Sequence, residues 1–577
     1  MAAAGKHDRR RRLASGRLAP PEDAPRAALH LIGLGVAIAV AYANSFAGVF
    51  LFDDQFHINS SLASTVIGPA CLRSGRGVVQ CTLALDYRRG GLLPVPYHVT
   101  NLGIHVAVAV LLYALVRRAL ELPRVAMTPR SASRIALVTA VLWAVHPLTT
   151  ESVTYIVQRS ESLVTLFYLA TLYAALREGR AWMCVAIACC FLGMCTKPVM
   201  ATAPLAAFLV EATLVSGSVC GALRRRMPLW TGLAATWGWL LVLLDNGRQL
   251  VSTGAGGTGF ASAEAGITPA RYLLTQAGVI LSYLRLAIAP YGLSLDHRRL
   301  AAHGVAAIVP MIVVASMVLY GVWALVKKRV DGLLVTLFFL VLAPTSSLMP
   351  IVDLEVEHRM YLPLAVVVLA CVLLARRLTR GLDPRLGSAC AVAIGVVLAM
   401  LTHARNEDYR SPVRMYAHDV QVNEENERAH VNLANALSDE GDPTRAIEHY
   451  RRALRINPAF SGASGYLAAL YLQRGERDRA RETLEVALAY DARSADLQFA
   501  RAAVALLDGD RVMERARLER VVVLAPEFAA AHADLGDLDL LEGRRDQAVR
   551  EYELALRLDP NDTTARAGLQ RCNDRAP

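Results

Sequence analysis

Apolar runs of membrane length alternate with short polar, mostly basic loops from the N-terminus to about Thr402, and then the pattern stops. Helix-forming apolar stretches fall near 28–48, 98–116, 133–147, 162–177, 181–196, 199–216, 229–245, 305–326, 331–348, 361–376 and 387–403. Several are shorter than the roughly 20 residues that a bare bilayer needs, so their limits are uncertain by a turn. From Arg405 onward the chain is rich in charge, alanine and leucine, and no further run is long enough to span. The pattern predicts an all-α protein, a polytopic transmembrane helix bundle followed by a second, water-facing helical domain.

Basic loops fix an expected orientation. With Arg9 to Arg12 on the cytoplasmic side, Arg117-Arg118, Arg177 to Arg180 and Arg224 to Arg226 fall there too, by the excess of Lys and Arg in cytoplasmic loops. The segment 271–290 breaks this parity unless it lies at the interface. Keeping Lys327-Lys328-Arg329 cytoplasmic requires that, and Tyr272, Gln276, Tyr283 and Arg285 favour it. About eleven spans plus one interfacial helix result. Loops holding Asp53-Asp54, Glu151 to Glu161, Lys197 and Pro350 to Tyr361 then share the extracytoplasmic side with the whole C-terminal domain.

Composition agrees with a membrane protein. The chain has 577 residues, 54% of them hydrophobic and 19% charged, with a mean hydropathy of +0.35, too apolar for an ordinary soluble enzyme. Its net charge of +11 lies beside apolar runs, as cytoplasmic anchors do, and no nucleic-acid partner is expected. The basic N-terminus followed by Ala41-Tyr42-Ala43 imitates a cleavable leader, but 28–50 is long enough for a signal anchor, which is the preferred reading. Among ten cysteines none has metal-ligand spacing. Cys184, Cys189, Cys190 and Cys195 read as packing residues, and Cys71 and Cys81 can pair if their loop faces an oxidising compartment.

After the membrane a period of 34 residues appears. Gly441, Gly475, Gly509 and Gly543 mark it, with Ala446, Ala480 and Ala548, Tyr450 and Tyr552, Ala453, Ala487 and Ala555, and Pro458, Pro526 and Pro560 in register. This is the tetratricopeptide pattern, in which small residues let paired helices approach and proline ends the second helix. Glu514, Val521 and Ala492 depart from it, making the third repeat the most degenerate. The expected organisation is a basic cytoplasmic tail over 1–27, a membrane domain over 28–404, a linker or half repeat over 405–426, and an extracytoplasmic tetratricopeptide α-solenoid of about four repeats over 427–577. A solenoid groove suits an extended polypeptide; a rigid spacer or oligomerisation arm is the rival use.

Charged residues pressed against membrane ends are costly and mark the chemistry to examine. Asp53 and Asp54 follow the first span, in Phe50-Leu51-Phe52-Asp53-Asp54-Gln55. Activating a hydroxyl needs such a base, although one of the pair would suffice as a helix cap. Lys197 directly follows an apolar run, at headgroup depth, and Arg159 can grip phosphate oxygens bidentately. Snorkelling is the rival for Lys197. Arg359 is a third phosphate candidate within Glu357-His358-Arg359, where mutual pairing as a structural clamp has nearly equal weight. Glu151 and Glu161 are candidates to support the basic groups. Asp296 and His297 are candidates to line an acceptor path, and His146 reads better as a satisfied helix-end imidazole than as a catalyst. Gly254 to Gly259 read as an outer flexible loop, not as a phosphate loop.

In order along the chain, Asp53-Asp54, His146-Pro147 with Glu151-Ser152-Val153, Gln158-Arg159-Ser160-Glu161, Thr196-Lys197-Pro198, Gly292-Leu293-Ser294-Leu295-Asp296-His297, Pro344-Thr345-Ser346-Ser347 and Glu357-His358-Arg359-Met360-Tyr361-Leu362-Pro363 resemble one family. It is that of the transmembrane and tetratricopeptide-repeat O-mannosyltransferases. Each motif alone is weak; their order, with the repeats behind them, is specific. The resemblance implies a GT-C-like membrane glycosyltransferase that moves a sugar, with mannose leading, from a polyprenyl-phosphate carrier to Ser or Thr of an extracytoplasmic protein. It also implies that the repeats recruit that acceptor protein. Asp53 or Asp54 would then be the base, Arg159, Lys197 and Arg359 would hold the donor phosphate, and Glu151, Glu161, Glu357, His358, His146 and Asp296 would support them. The resemblance fixes no cofactor, and a divalent metal at Asp53 and Asp54 is an open option. The expected partners are the lipid-linked donor, the acceptor protein and membrane lipids. The alternatives are a silent membrane anchor for a repeat scaffold and a GT-C enzyme acting on a glycan or lipid. A bacterial inner membrane is the favoured location over an endoplasmic reticulum.

Overall fold

The computed structural model describes residues 24–59, 62–63, 65, 67–252, 267–347, 350–351, 353–381 and 383–574. The arginines at 9–12 and the glycine-rich loop of 254–259 lie outside the described residues. Among the described residues every regular element is helical. The chain divides into two compact units, Met1–Met415 and Tyr416–Pro577.

Among the described residues of the first unit seven helices are long and apolar enough to cross a membrane: Arg26–Ala47, Val95–Glu121, Pro198–Ser216, Met227–Leu244, Ile308–Val326, Glu357–Leu378 and Arg385–Asp408. Pro129–Ala144 and Pro147–Val153 together form an eighth candidate, bent by 63°. The remaining expected spans fall on Arg159–Ala175, Arg180–Met194 and Val330–Leu342, helices of 17, 15 and 13 residues. Those three are short of the roughly 20 residues that a straight crossing takes. Length alone therefore assigns a crossing to fewer segments than the expected eleven. Apolar side chains such as Leu319 and Val397 face outward, the arrangement a lipid solvent favours.

Val95–Glu121 shows how the bundle is ordered. Tyr97, His98, Asn101, His105, Val108, Ala109, Leu112, Tyr113, Val116 and Leu120 are its buried positions, a stripe at three- and four-residue spacing. The stripe is polar at the N-terminal end and apolar beyond it. His105 Nδ1 meets Tyr361 Oη at 2.7 Å and Nε2 meets the Ala144 carbonyl at 2.9 Å, with the ring stacked on Trp143. These contacts join three helices at the level where the polar residues begin.

Pro147 explains the 63° bend. Proline has no N–H to continue the ladder and disfavours helix at the residue before it, so the chain turns at His146. That turn carries Thr149, Thr150 and Glu151 into the protein, where all three are buried.

The polar residues of Pro269–Ile288 have a different task from the one expected. Tyr272, Gln276 and Tyr283 are buried. Tyr272 Oη donates to Thr345 O at 2.5 Å, Gln276 Nε2 to Leu354 O at 2.8 Å and Tyr283 Oη to Val356 O at 2.8 Å. One helix face thus clamps the segment that leads into Glu357. Only Arg285 of the four is exposed, beside the Tyr291 ring.

The second unit is built of helix pairs: Glu427–Asp439 with Pro443–Ile456, Ser461–Gln473 with Arg477–Tyr490, Ala495–Asp508 with Arg511–Leu524, and Ala529–Leu541 with Arg545–Leu558. Gly441, Gly475, Gly509 and Gly543 join the helices of each pair at φ between +75° and +83°, a region that side chains with a Cβ rarely enter. Ala453, Ala487 and Ala555 are buried in the second helix of their pairs, and Val521 fills the corresponding space in the third pair, where Glu514 likewise stands in place of the buried Ala446, Ala480 and Ala548.

Candidate functional site

The two adjacent carboxylates have different surroundings. Asp54 is fully buried and opens the short helix Asp54–His57. Its Oδ2 accepts from Leu51 N–H at 3.1 Å and its Oδ1 from Val157 N–H at 2.8 Å. Burial pushes its pKa up to about 7 even against those two donors. Asp53 is half-buried. Its own N–H donates to Tyr155 Oη at 2.9 Å. Burial raises its pKa, and the Asp353 charge adds to the rise, while His57, Arg76 and His358 work against it. Of the pair, Asp53 is the carboxylate with an open side and Asp54 is the bolt that joins the 51–54 turn to the 156–158 turn.

The proposed phosphate ligands separate in the same way. Arg159 starts Arg159–Ala175 and is fully buried. Its Nη1 lies 2.7 Å from Asp86 Oδ2, itself inaccessible, and Nη2 donates to Tyr97 O at 3.1 Å. The Nη1 contact is ionic, off the axis of a good hydrogen bond. The structure therefore places Arg159 in the packing between helices and not on an open face. Lys197 Nζ pairs with Glu161 Oε1 at 2.7 Å, with 16% and 10% of the two side chains exposed. Burial lowers the lysine pKa, and the Glu161 charge opposes that fall. Arg359 donates through Nη2 to Asp353 O at 2.6 Å and through Nη1 to Leu354 O at 3.3 Å.

Two Glu–His pairs stand at the start of Glu357–Leu378. Glu151 Oε2 accepts from His358 N–H and its Oε1 meets His358 Nδ1, each at 2.7 Å. Glu357 Oε1 accepts from Ser294 N–H at 2.6 Å and meets His297 Nε2 at 2.8 Å. Burial disfavours the charged His297 ring, yet Glu357 holds its pKa above the ordinary value. Asp296 Oδ1 accepts from Arg298 N–H at 3.0 Å and shapes its own loop.

The charges of Lys197, Glu161, Arg359 and Asp353 all act on His358, and the His358 charge acts on Asp53. Asp53, Lys197, Glu161, His358, Arg359 and Asp353 therefore form one electrostatic group. His146 stands apart: Nδ1 accepts from Leu148 N–H and Nε2 faces Ala287 O, both at 3.2 Å, so its polar atoms are satisfied within the bend. Among the described residues no group of three or more His, Cys, Asp and Glu side chains is arranged for a metal ion.

Sequence reasoning passed over Asp86, Tyr155 and Asp353. A signal existed for Asp86, the only other acidic residue of the loop that holds Asp53 and Asp54, because a buried arginine requires a counter-charge. Tyr155 and Asp353 carry no comparable mark.

The fold and these buried ions define a helical membrane protein with a tetratricopeptide domain. Tetratricopeptide-repeat models match residues 437–505 and 529–562. A protein O-mannosyl-transferase of Caenorhabditis elegans is 22% identical over 75% of this chain and 63% of its own length. Protein O-mannosyl-transferase TMTC3 of Homo sapiens is 24% identical over 85% of this chain and 58% of its own. Protein O-mannosyl-transferase TMTC1 of Homo sapiens is 27% identical over 69% of this chain and 50% of its own. The chain is thus homologous, over most of its length, to the transmembrane and tetratricopeptide-repeat O-mannosyl-transferases that its ordered motifs resemble. It spans between half and two thirds of these relatives.

Proposed function

We propose that the protein is a membrane glycosyltransferase that moves mannose from a polyprenyl-phosphate carrier to Ser or Thr hydroxyls of a protein on the side of the membrane where Asp53 lies. The observation that carries this reading is the grouping of the half-buried Asp53 with Lys197, His358 and Arg359 at the ends of apolar helices. Asp53 takes the hydroxyl proton as the oxygen attacks the anomeric carbon, the carbon–oxygen bond to phosphate breaks, and Lys197 and Arg359 receive the departing phosphate. A raised carboxylate pKa suits a base that must hold a proton briefly. Asp54, Glu151, Glu161 and Glu357 hold the surrounding turns and cations in place. The repeats recruit the acceptor polypeptide. An extracytoplasmic site in a bacterial inner membrane is the matching location.

The test is transfer of labelled mannose from polyprenyl-phosphate mannose to protein by the purified full chain. The expected result is label on Ser or Thr that disappears in Asp53→Asn. Label that persists at the wild-type rate in that variant would remove Asp53 as the base, and no transfer with any lipid-linked sugar would remove the enzyme reading.

A further inference from the structure

The segment from Leu72 to Val78 is stitched to the turn that carries Lys197. Val78 N–H donates to Cys195 O at 3.3 Å. Leu72 O accepts from Trp239 Nε1 at 3.2 Å and from Cys195 Sγ at 3.6 Å. A disulfide between Cys71 and Cys81 closes the same segment covalently. Arg76 stands between these attachments as the residue capping Gly77–Gly90. It is exposed and has no ion pair among the described residues.

The cations of the group around Asp53 are already engaged. Lys197 is paired with Glu161, Arg159 with Asp86, and Arg359 with two backbone carbonyls. Arg76 and Arg73 of the linking segment have no ion pair among the described residues, and of the two it is Arg76 whose charge acts on Lys197, on His57 and on Asp53. Holding a guanidinium near an ammonium is unfavourable in the empty protein and becomes favourable when an anion joins them. The attachments through Leu72, Val78 and the disulfide keep Arg76 there despite that repulsion.

We propose that Arg76 is a phosphate-binding residue that, with Lys197, receives the phosphate of the polyprenyl carrier beside Asp53. The proposal deepens the glycosyltransferase reading and rests on it for the identity of the carrier. An exposed guanidinium on a fixed loop meets the phosphate as it arrives, whereas Lys197 waits in the partly buried wall. The chemistry recognised is a lipid-linked phosphate, and free phosphate or a phospholipid headgroup offers the same oxygens without the polyprenyl chain.

The experiment is equilibrium binding of undecaprenyl monophosphate to the full chain in nanodiscs of zwitterionic lipid, comparing wild type with Arg76→Ala, Arg76→Lys and Arg76→Glu. The dissociation constant should rise about tenfold in Arg76→Ala, more in Arg76→Glu, and return most of the way in Arg76→Lys. Inorganic phosphate and phosphatidylglycerol should compete poorly. Binding by Arg76→Ala within about twofold of wild type, well inside the effect of one charge-assisted hydrogen bond, would overturn the proposal. So would wild type that fails to bind the carrier, or phosphatidylglycerol competing as well as the carrier itself. Binding that depends on Arg76 in a protein that transfers no lipid-linked sugar would overturn the glycosyltransferase reading and leave this one standing.

Discussion

Glu151 holds His358 at two points, with Oε2 on the backbone N–H and Oε1 on Nδ1, both at 2.7 Å. An ionised Glu151 places the ring proton on Nδ1 and leaves Nε2 as an acceptor, because the two nitrogens of a neutral imidazole divide those roles. Glu151→Gln retains one acceptor and sets an amide N–H against its partner, which drives the proton to Nε2. Transfer should fall by about a hundredfold, in the range of misplaced acid–base groups, with the protein still folded. Steady-state transfer and a thermal melt together check this; an unchanged rate would show that the His358 tautomer is irrelevant.

Asp53→Asn and Asp54→Asn should fail in opposite ways. Asp53 accepts from Phe56 and His57 N–H through its carbonyl, which Asn keeps, and among the described residues no backbone N–H donates to its carboxylate, so Asn there should leave thermal stability within measurement error and abolish transfer. Asp54 accepts from both Leu51 and Val157. An amide can serve only one of those donors, so Asp54→Asn should cost about 1–3 kcal/mol of stability. Parallel melting curves and rates distinguish the two; equal stability in both variants would contradict the division of labour.

A pH profile provides a second view of Asp53. A base works ionised, and burial raises the Asp53 pKa, so activity should be present above that raised value and be lost as pH falls through it. The acid limb of kcat/KM should lie above the ordinary aspartate value of about 3.9. It should survive in Asp54→Asn, although Asp54 itself is pushed up to about 7. A limb that moves with Asp54 and not with Asp53 would transfer the role of base to Asp54.

Much of this architecture was legible because its signals are periodic. Apolar runs, basic loops and the recurring glycines state helix, membrane and repeat without reference to the rest of the chain. The bend at Pro147 was also available in principle, since proline interrupts a helix wherever it occurs inside one. What the pattern could not tell was the division between adjacent or similar charges. Asp53 and Asp54 are neighbours of one residue type, and only the approach of Val157, more than a hundred positions away, makes one a bolt and leaves the other open. Tyr272, Gln276 and Tyr283 likewise looked like interface anchors because polar groups at a headgroup and polar groups clamping a buried loop have the same composition. The three glutamates, Glu151, Glu161 and Glu357, are the hardest case. Their partners, His358, His297, Lys197 and Ser294, come from other turns of the bundle, and no spacing along the chain encodes those meetings.

The Cys71–Cys81 pair offers a test of sidedness. Disulfides persist in oxidising compartments, and this one lies in the loop that also carries Asp53 and Asp54. In intact cells both thiols should resist a membrane-impermeant maleimide and react with it after mild external reduction. Cys220, an exposed free cysteine beside the basic Arg224 to Arg226, serves as the internal control after permeabilisation. Labelling of Cys71 and Cys81 without reduction would contradict the disulfide, and labelling only after permeabilisation would reverse the expected orientation.

Arg159 supplies the sharpest contrast between a reading from motif and a reading from contact. As a phosphate ligand, its replacement would weaken donor binding and spare the fold. In the structure Arg159 and Asp86 are both inaccessible and 2.7 Å apart, and Asp86 also accepts from Thr100 Oγ1 at 2.7 Å. Removing the guanidinium leaves the buried carboxylate with only the largely exposed Arg89, 3.3 Å from its Oδ1, so the loss should lie below the ~3–5 kcal/mol of a buried pair that keeps no other counter-charge. Arg159→Ala should therefore lower the unfolding temperature and the yield of membrane-inserted protein. Arg159→Ala with Asp86→Ala should recover part of both, because no lone charge remains. A double variant that is as stable as wild type yet still binds undecaprenyl monophosphate with wild-type affinity would settle Arg159 as a structural residue. Stability unchanged in Arg159→Ala, with donor affinity reduced, would return it to the phosphate site.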